Sequence, residues 1–127
     1  MRILLVDDER EYVSTLAERL SLRGIEADWV SDPAEAVLRA GEQVYDLAVL
    51  DVKMPRIDGI ALKRLLEAKQ PRLKFLFITG HGEEGAFKAG VSEAGPDHYL
   101  FKPVMLDDFL RKIDEVMSED REEGRDE

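Results

Sequence analysis

The chain has 127 residues, a formal net charge of −10 and no cysteine. That length suits one domain with a single core, and the acidity argues against a nucleic-acid or anionic-membrane surface, since both draw Lys and Arg. The missing thiol excludes disulfides, thiolate metal sites and cysteine nucleophiles. No stretch approaches the roughly 18 consecutive apolar residues of a membrane helix, and no leader pattern precedes the first strand, so a soluble, cytoplasmic chain is expected.

Ile3-Leu4-Leu5-Val6 is a continuous apolar run and reads as a strand buried on both faces, ending in Asp7-Asp8-Glu9. Val13, Leu16, Ala17 and Leu20 then recur at helical spacing, and Gly24 stands where a helix end favours the left-handed conformation. Ile25, Ala27 and Trp29 alternate with Glu26 and Asp28, which predicts a half-buried strand at a sheet edge. Asp32-Pro33 predicts a helix start, with an N-cap acid followed by proline at the first helical position, and Ala36, Val37 and Ala40 supply its thin apolar stripe.

Leu47-Ala48-Val49-Leu50 is the next buried run. It leads into Asp51, and Pro55 follows four positions later. A turn at Asp58-Gly59 introduces a helix through Ile60, Leu62, Leu65 and Leu66 that stops before Pro71. Phe75-Leu76-Phe77-Ile78 ends in Thr79. The five glycines from Gly80 to Gly95 predict a weak helix between Gly82 and Ala94, each interior glycine costing about 1 kcal/mol against alanine. Tyr99-Leu100-Phe101 is a short last strand ending in Lys102-Pro103, and Leu106, Phe109, Leu110, Ile113, Val116 and Met117 form the best amphipathic helix. Residues 1–118 are therefore expected to form one domain, with 119–127 an acidic, disordered tail or linker remnant. Strand followed by helix, five times over, predicts an α/β fold: a doubly wound five-stranded parallel sheet with helices on both faces, flavodoxin-like in arrangement.

In such a sheet every strand ends on the same side, where ligands collect. That edge gathers Asp7, Asp8, Asp51, Thr79 and Lys102. Three carboxylates close together repel one another, and one lysine cannot neutralise them. A hard divalent cation can, and an open, all-oxygen set of ligands suits Mg²⁺ or Mn²⁺. Asp51 is then placed to act as a nucleophile toward phosphorus, with Asp7 and Asp8 on the metal and Lys102 and Thr79 on phosphoryl oxygens.

Val6-Asp7-Asp8-Glu9, Leu50-Asp51-Val52-Lys53-Met54-Pro55 with Asp58-Gly59, Ile78-Thr79-Gly80 and Tyr99-Leu100-Phe101-Lys102-Pro103, in that order and spacing, resemble the receiver domain of two-component response regulators. The resemblance spans nearly the whole chain. It implies a signalling switch in which Asp51 accepts a phosphoryl group from a sensor histidine kinase or phosphotransfer protein. It implies Mg²⁺ on Asp7, Asp8, Asp51 and the backbone carbonyl of Lys53, phosphoryl contacts from the backbone of Val52 and Gly80, a switch pair in Thr79 and Tyr99, and a cis Lys102-Pro103 bond. An output partner or effector domain and a phosphorylation-dependent homodimer through the last two helices are further implications. Pro96 and the glycine-rich stretch depart from the family's commonest pattern.

Other readings compete. Asp7-Asp8-Glu9 is also an ordinary acidic helix start, Tyr99 an ordinary half-buried aromatic with a wet hydroxyl, and His81 and His98 solvent-facing side chains. Gly80-His81-Gly82-Glu83-Glu84-Gly85 spells a dinucleotide-binding motif, but Glu83 and Glu84 place negative charge where a pyrophosphate would sit. A Mg²⁺-dependent phosphohydrolase with an aspartyl-phosphate intermediate would carry a second acid two residues after Asp51, where Lys53 stands. A receiver-like module that binds partners without phosphorylation is the remaining alternative, and the full set of site residues speaks against it.

Overall fold

The apolar runs become the strands of one sheet because each is long enough to cross a core and too uniformly apolar to sit on a surface. A computed structural model describes residues 1–54, 56–80 and 98–125. Its elements are β1 (Arg2–Val6), α1 (Arg10–Leu22), β2 (Glu26–Val30), α2 (Pro33–Glu42), β3 (Leu47–Asp51), α3 (Gly59–Lys69), β4 (Lys74–Thr79), β5 (Tyr99–Phe101) and α4 (Leu106–Arg125). The expected helix between Gly82 and Ala94, the glycine motif beyond Gly80, and His81, Pro55 and Pro96 lie outside the described residues.

The five strands run parallel in the order β2-β1-β3-β4-β5, the doubly wound α/β arrangement. Alternation along each strand divides the interior in two. Leu4, Val6, Ala48, Leu50, Phe75 and Phe77 pack against Ala36 and Ala40 of α2 and Leu62 and Leu66 of α3. Ile3, Leu5, Leu47, Val49, Leu76 and Ile78 face α1 and, through Phe109, Ile113 and Val116, α4. β2 and β5 are the edge strands, and the inner residues of β2, Ala27, Asp28 and Trp29, are only partly buried. Asp32 caps α2 by accepting from the Ala34 N–H at 2.9 Å, and Asp58 caps α3 by accepting from the Ala61 N–H at 2.8 Å.

Two local features differ from expectation. α4 continues to Arg125 instead of ending near 118, because Glu and Arg favour a helix even where no apolar stripe asks for one. His98 is not solvent-facing: its Nε2 lies 3.0 Å from Glu119, joining the start of β5 to α4. Among the described residues, no helix is long and apolar enough to cross a membrane.

The sheet's other end, away from the acidic strand ends, is fastened by Gln70, the C-cap of α3. Its Oε1 accepts from the Tyr45 N–H at 3.0 Å, and its Nε2 donates to the carbonyls of Ala40 and Gln43 at 2.8 and 2.7 Å. One side chain thus satisfies three partly buried backbone groups. Gln70→Ala should cost about 2–3 kcal/mol in urea unfolding while leaving the chemistry of the opposite edge unaltered, since each orphaned group bears its own desolvation penalty. A loss under about 0.5 kcal/mol would show that water replaces the amide at no cost.

Candidate functional site

The strand register decides what meets at the carboxyl edge. Val6 pairs with Leu50 and Asp51 with Ile78, so Asp7 and Asp51 stand level, each one step past a buried leucine or valine. Thr79 pairs with Phe101, and Lys102 follows at once; its N–H donates to the Thr79 carbonyl at 2.9 Å. Asp7 and Asp51 are almost fully buried and Thr79 wholly so, while Asp8 is exposed. One carboxylate oxygen each from Asp7, Asp8 and Asp51 lies within 4.8 Å of the others. Asp8, Asp51, Lys53, Met54, Gly80 and Lys102 line an open cleft of about 530 Å³, together with Glu9.

Lys102 sits among these acids with its side chain only 14% exposed. The ammonium is 2.9 Å from Asp7 Oδ2, 2.7 Å from Glu9 Oε1 and 3.6 Å from Asp51 Oδ2. Burial pulls its pKa down, but the bonds to Glu9 and Asp7 and the charges of Asp7 and Asp51 outweigh that, so the lysine is held above its ordinary value. Burial dominates at Asp7 and raises its carboxyl. The Glu9 N–H, which donates to Asp7 Oδ1 at 2.9 Å, and the Lys102 ammonium draw it partly back. The aromatic face of Tyr12 lies 5.0 Å from the same ammonium. Burial likewise pushes the Tyr12 phenol up.

The edge therefore collects Asp7, Asp8, Asp51 and Lys102 as the order of elements predicts. Glu9 and Tyr12 belong with them and were not expected there. Glu9 reads in the sequence as a helix-start acid, and no motif marks Tyr12, which lies just outside the apolar stripe of Val13, Leu16, Ala17 and Leu20. Val52 is a correction. Its N–H donates to the Ile78 carbonyl at 2.9 Å, carrying the β3–β4 ladder one residue further, so the group is already committed and is not turned to the cleft. Tyr99 also differs from a half-buried aromatic. It is buried, with its ring stacked on Phe77 at 5.2 Å between centroids. The Lys102–Pro103 bond is cis.

The model of the response regulator receiver domain family matches residues 3–114. This chain belongs to that family. The response regulator MprA of Mycobacterium leprae is 37% identical over 113 residues, covering 89% of this chain and 49% of that protein. The receiver domain thus spans about half the length of the curated relatives it matches. A CheY-like receiver domain protein from Methanospirillum hungatei superposes with a TM-score of 0.84 at 29% identity, covering 96% of this chain and 97% of that one. A response regulator from Burkholderia pseudomallei, solved with a phosphorylated aspartic acid, a calcium ion and citrate, has a TM-score of 0.79 at 27% identity. It covers 97% of this chain and 72% of that one.

Receiver domains of response regulators are signalling modules of two-component systems, and they typically bind Mg²⁺ at an acidic pocket. The donor set here fits that ion. It is carboxylate oxygen throughout, it includes two nearly buried acids, and three carboxylates share the edge with one ammonium.

Proposed function

We propose that residues 1–118 of this receiver domain act as a phosphoryl-accepting switch in which Asp51 is the acceptor. A carboxylate oxygen of Asp51 attacks the phosphorus of a phosphohistidine on a sensor kinase or phosphotransfer protein. The new O–P bond forms as the N–P bond breaks, and the histidine keeps the electron pair and is reprotonated. Hydrolysis of the acyl phosphate later resets the switch, so the chain turns over no external substrate. The observation that carries this reading is Asp51 itself. It is a nearly buried carboxylate at a strand end, opening on a cleft, clustered with Asp7 and Asp8 and with a lysine 3.6 Å away.

Asp7, Asp8, Asp51 and the carbonyl of Lys53 would hold Mg²⁺, with Mn²⁺ the alternative; the ion supplies positive charge against the phosphoryl oxygens. Lys102 and the Thr79 hydroxyl receive those oxygens, with the Gly80 backbone beside them. Thr79 and Tyr99 relay the change. Their placement supports this, since Thr79 ends the strand on which Phe77 stacks against Tyr99. The Burkholderia pseudomallei relative, solved with a phosphorylated aspartic acid and a calcium ion, supports the acceptor aspartate and the divalent cation. A cytoplasmic setting, an output partner or effector domain, residues 119–127 as linker, and a phosphorylation-dependent homodimer belong to the proposal.

Incubation with acetyl phosphate and Mg²⁺ should add one phosphoryl mass that alkali removes and that a chelator prevents. An alkali-stable addition, or equal labelling without a divalent cation, would overturn the assignment.

A further inference from the structure

The lysine that the proposed chemistry needs at Asp51 is bound elsewhere. An ammonium has three hydrogens to donate. Glu9 at 2.7 Å and Asp7 at 2.9 Å take two of them, while Asp51 at 3.6 Å lies beyond a good hydrogen bond. The ring of Tyr12 closes a further side. Glu9 stands at the N-cap of α1, where a polar side chain ordinarily folds back on the free N–H groups of the first turn. It makes no such bond. Its carboxylate reaches instead to Lys102, 93 residues away in the chain.

We propose that Glu9 is a positioning residue that holds Lys102 off the phosphoryl site, so that loading Asp51 requires the ammonium to exchange Glu9 for a phosphoryl oxygen. The exchange rests on the proposed function, since it needs a phosphoryl group on Asp51. Asp7 is the weaker competitor there, because its carboxylate is assigned to the cation and already accepts the Glu9 N–H. Tyr12 offers a neutral face and no competing acceptor, so it confines the ammonium without choosing its partner. Glu9 thus acts as a brake on phosphoryl uptake, set by the strength of one charge-assisted hydrogen bond.

Three substitutions separate this from a general charge effect. Glu9→Gln removes the charge in place. Glu9→Asp keeps the charge but shortens the reach by one methylene. Glu11→Gln removes an exposed acid from the same helical turn. Both Glu9 variants should take phosphoryl from acetyl phosphate about fivefold faster than wild type, as expected for losing one largely exposed charged hydrogen bond, and Glu11→Gln should match wild type. In protein without metal or donor, the ¹⁵Nζ signal of Lys102, assigned through Lys102→Arg, should shift in both Glu9 variants. A Glu9→Asp variant as slow as wild type beside a fast Glu9→Gln would overturn the proposal in favour of bulk charge. An unshifted Lys102 signal would overturn it directly. Wild type that takes up no phosphoryl group defeats the switch reading and this proposal together; normal uptake with unchanged Glu9 variants defeats this proposal only.

Discussion

Asp51→Asn should abolish phosphoryl uptake, lowering the rate from a small donor by at least about a thousandfold, because an amide presents no anionic oxygen to phosphorus. The neighbouring acids should not substitute for it. Asp7 accepts from the Glu9 N–H on one oxygen and binds Lys102 on the other, so both of its oxygens are engaged. Asp8 is exposed, without the lysine that stands beside Asp51. The fold should survive. Asparagine has nearly the same volume, Lys102 keeps its shorter contacts to Asp7 and Glu9, and one charge leaves a crowded carboxylate cluster. Thermal unfolding should therefore show the variant at least as stable as wild type when no metal is present. Intact mass after incubation with acetyl phosphate and Mg²⁺ checks the first claim, and a phosphoryl addition persisting near the wild-type rate would place the acceptor elsewhere.

The position of Asp51 was legible in the sequence because it follows from a rule about strands. Residues that end uniformly apolar runs in a parallel sheet share one edge, so Asp7, Asp51, Thr79 and Lys102 could be placed together before any geometry was known. The edge position of β2 was legible for the same reason, in the alternation around Ala27 and Trp29. Long-range side-chain choices were not. Nothing local tells Glu9 to ignore its own helix and bind a lysine after β5, or Gln70 to reach back to Ala40 and Gln43. Each depends on which carbonyl or ammonium the folded chain happens to bring near. The burial of Tyr99 is not legible because a three-residue strand carries too little pattern to show which face is buried; Phe77 on the neighbouring strand settles it. The Val52 contact failed for a different reason. A ladder bond can run one residue past the strand's last residue, and sequence patterns locate such ends only to within a residue or two.

Gly59→Ala should destabilise the fold by about 2–4 kcal/mol, although alanine is ordinarily the better helix residue by about 1 kcal/mol. The glycine follows the N-cap Asp58 as the first residue of α3, and its N–H donates to the Val52 carbonyl at 2.8 Å. That bond draws the helix start so close to the end of β3 that a Cβ at this position would run into the backbone carbonyl oxygen of Asp51. The requirement is for space, not for an unusual backbone angle, and the obstructing atom is main chain that cannot rotate aside. Relief demands that α3 back away or that the strand end shift, and the strand end is Asp51, the proposed acceptor. Phosphoryl uptake should therefore fall about tenfold beyond what lost stability explains, because reacting groups tolerate little displacement. Gly41 in α2 supplies the control, since a Cβ there meets nothing within 4 Å. Gly41→Ala should leave stability unchanged or raise it by up to about 1 kcal/mol, with normal uptake. Urea unfolding of the two variants side by side decides the matter: if both alanines behave alike, the close approach of α3 to Asp51 does not constrain the site.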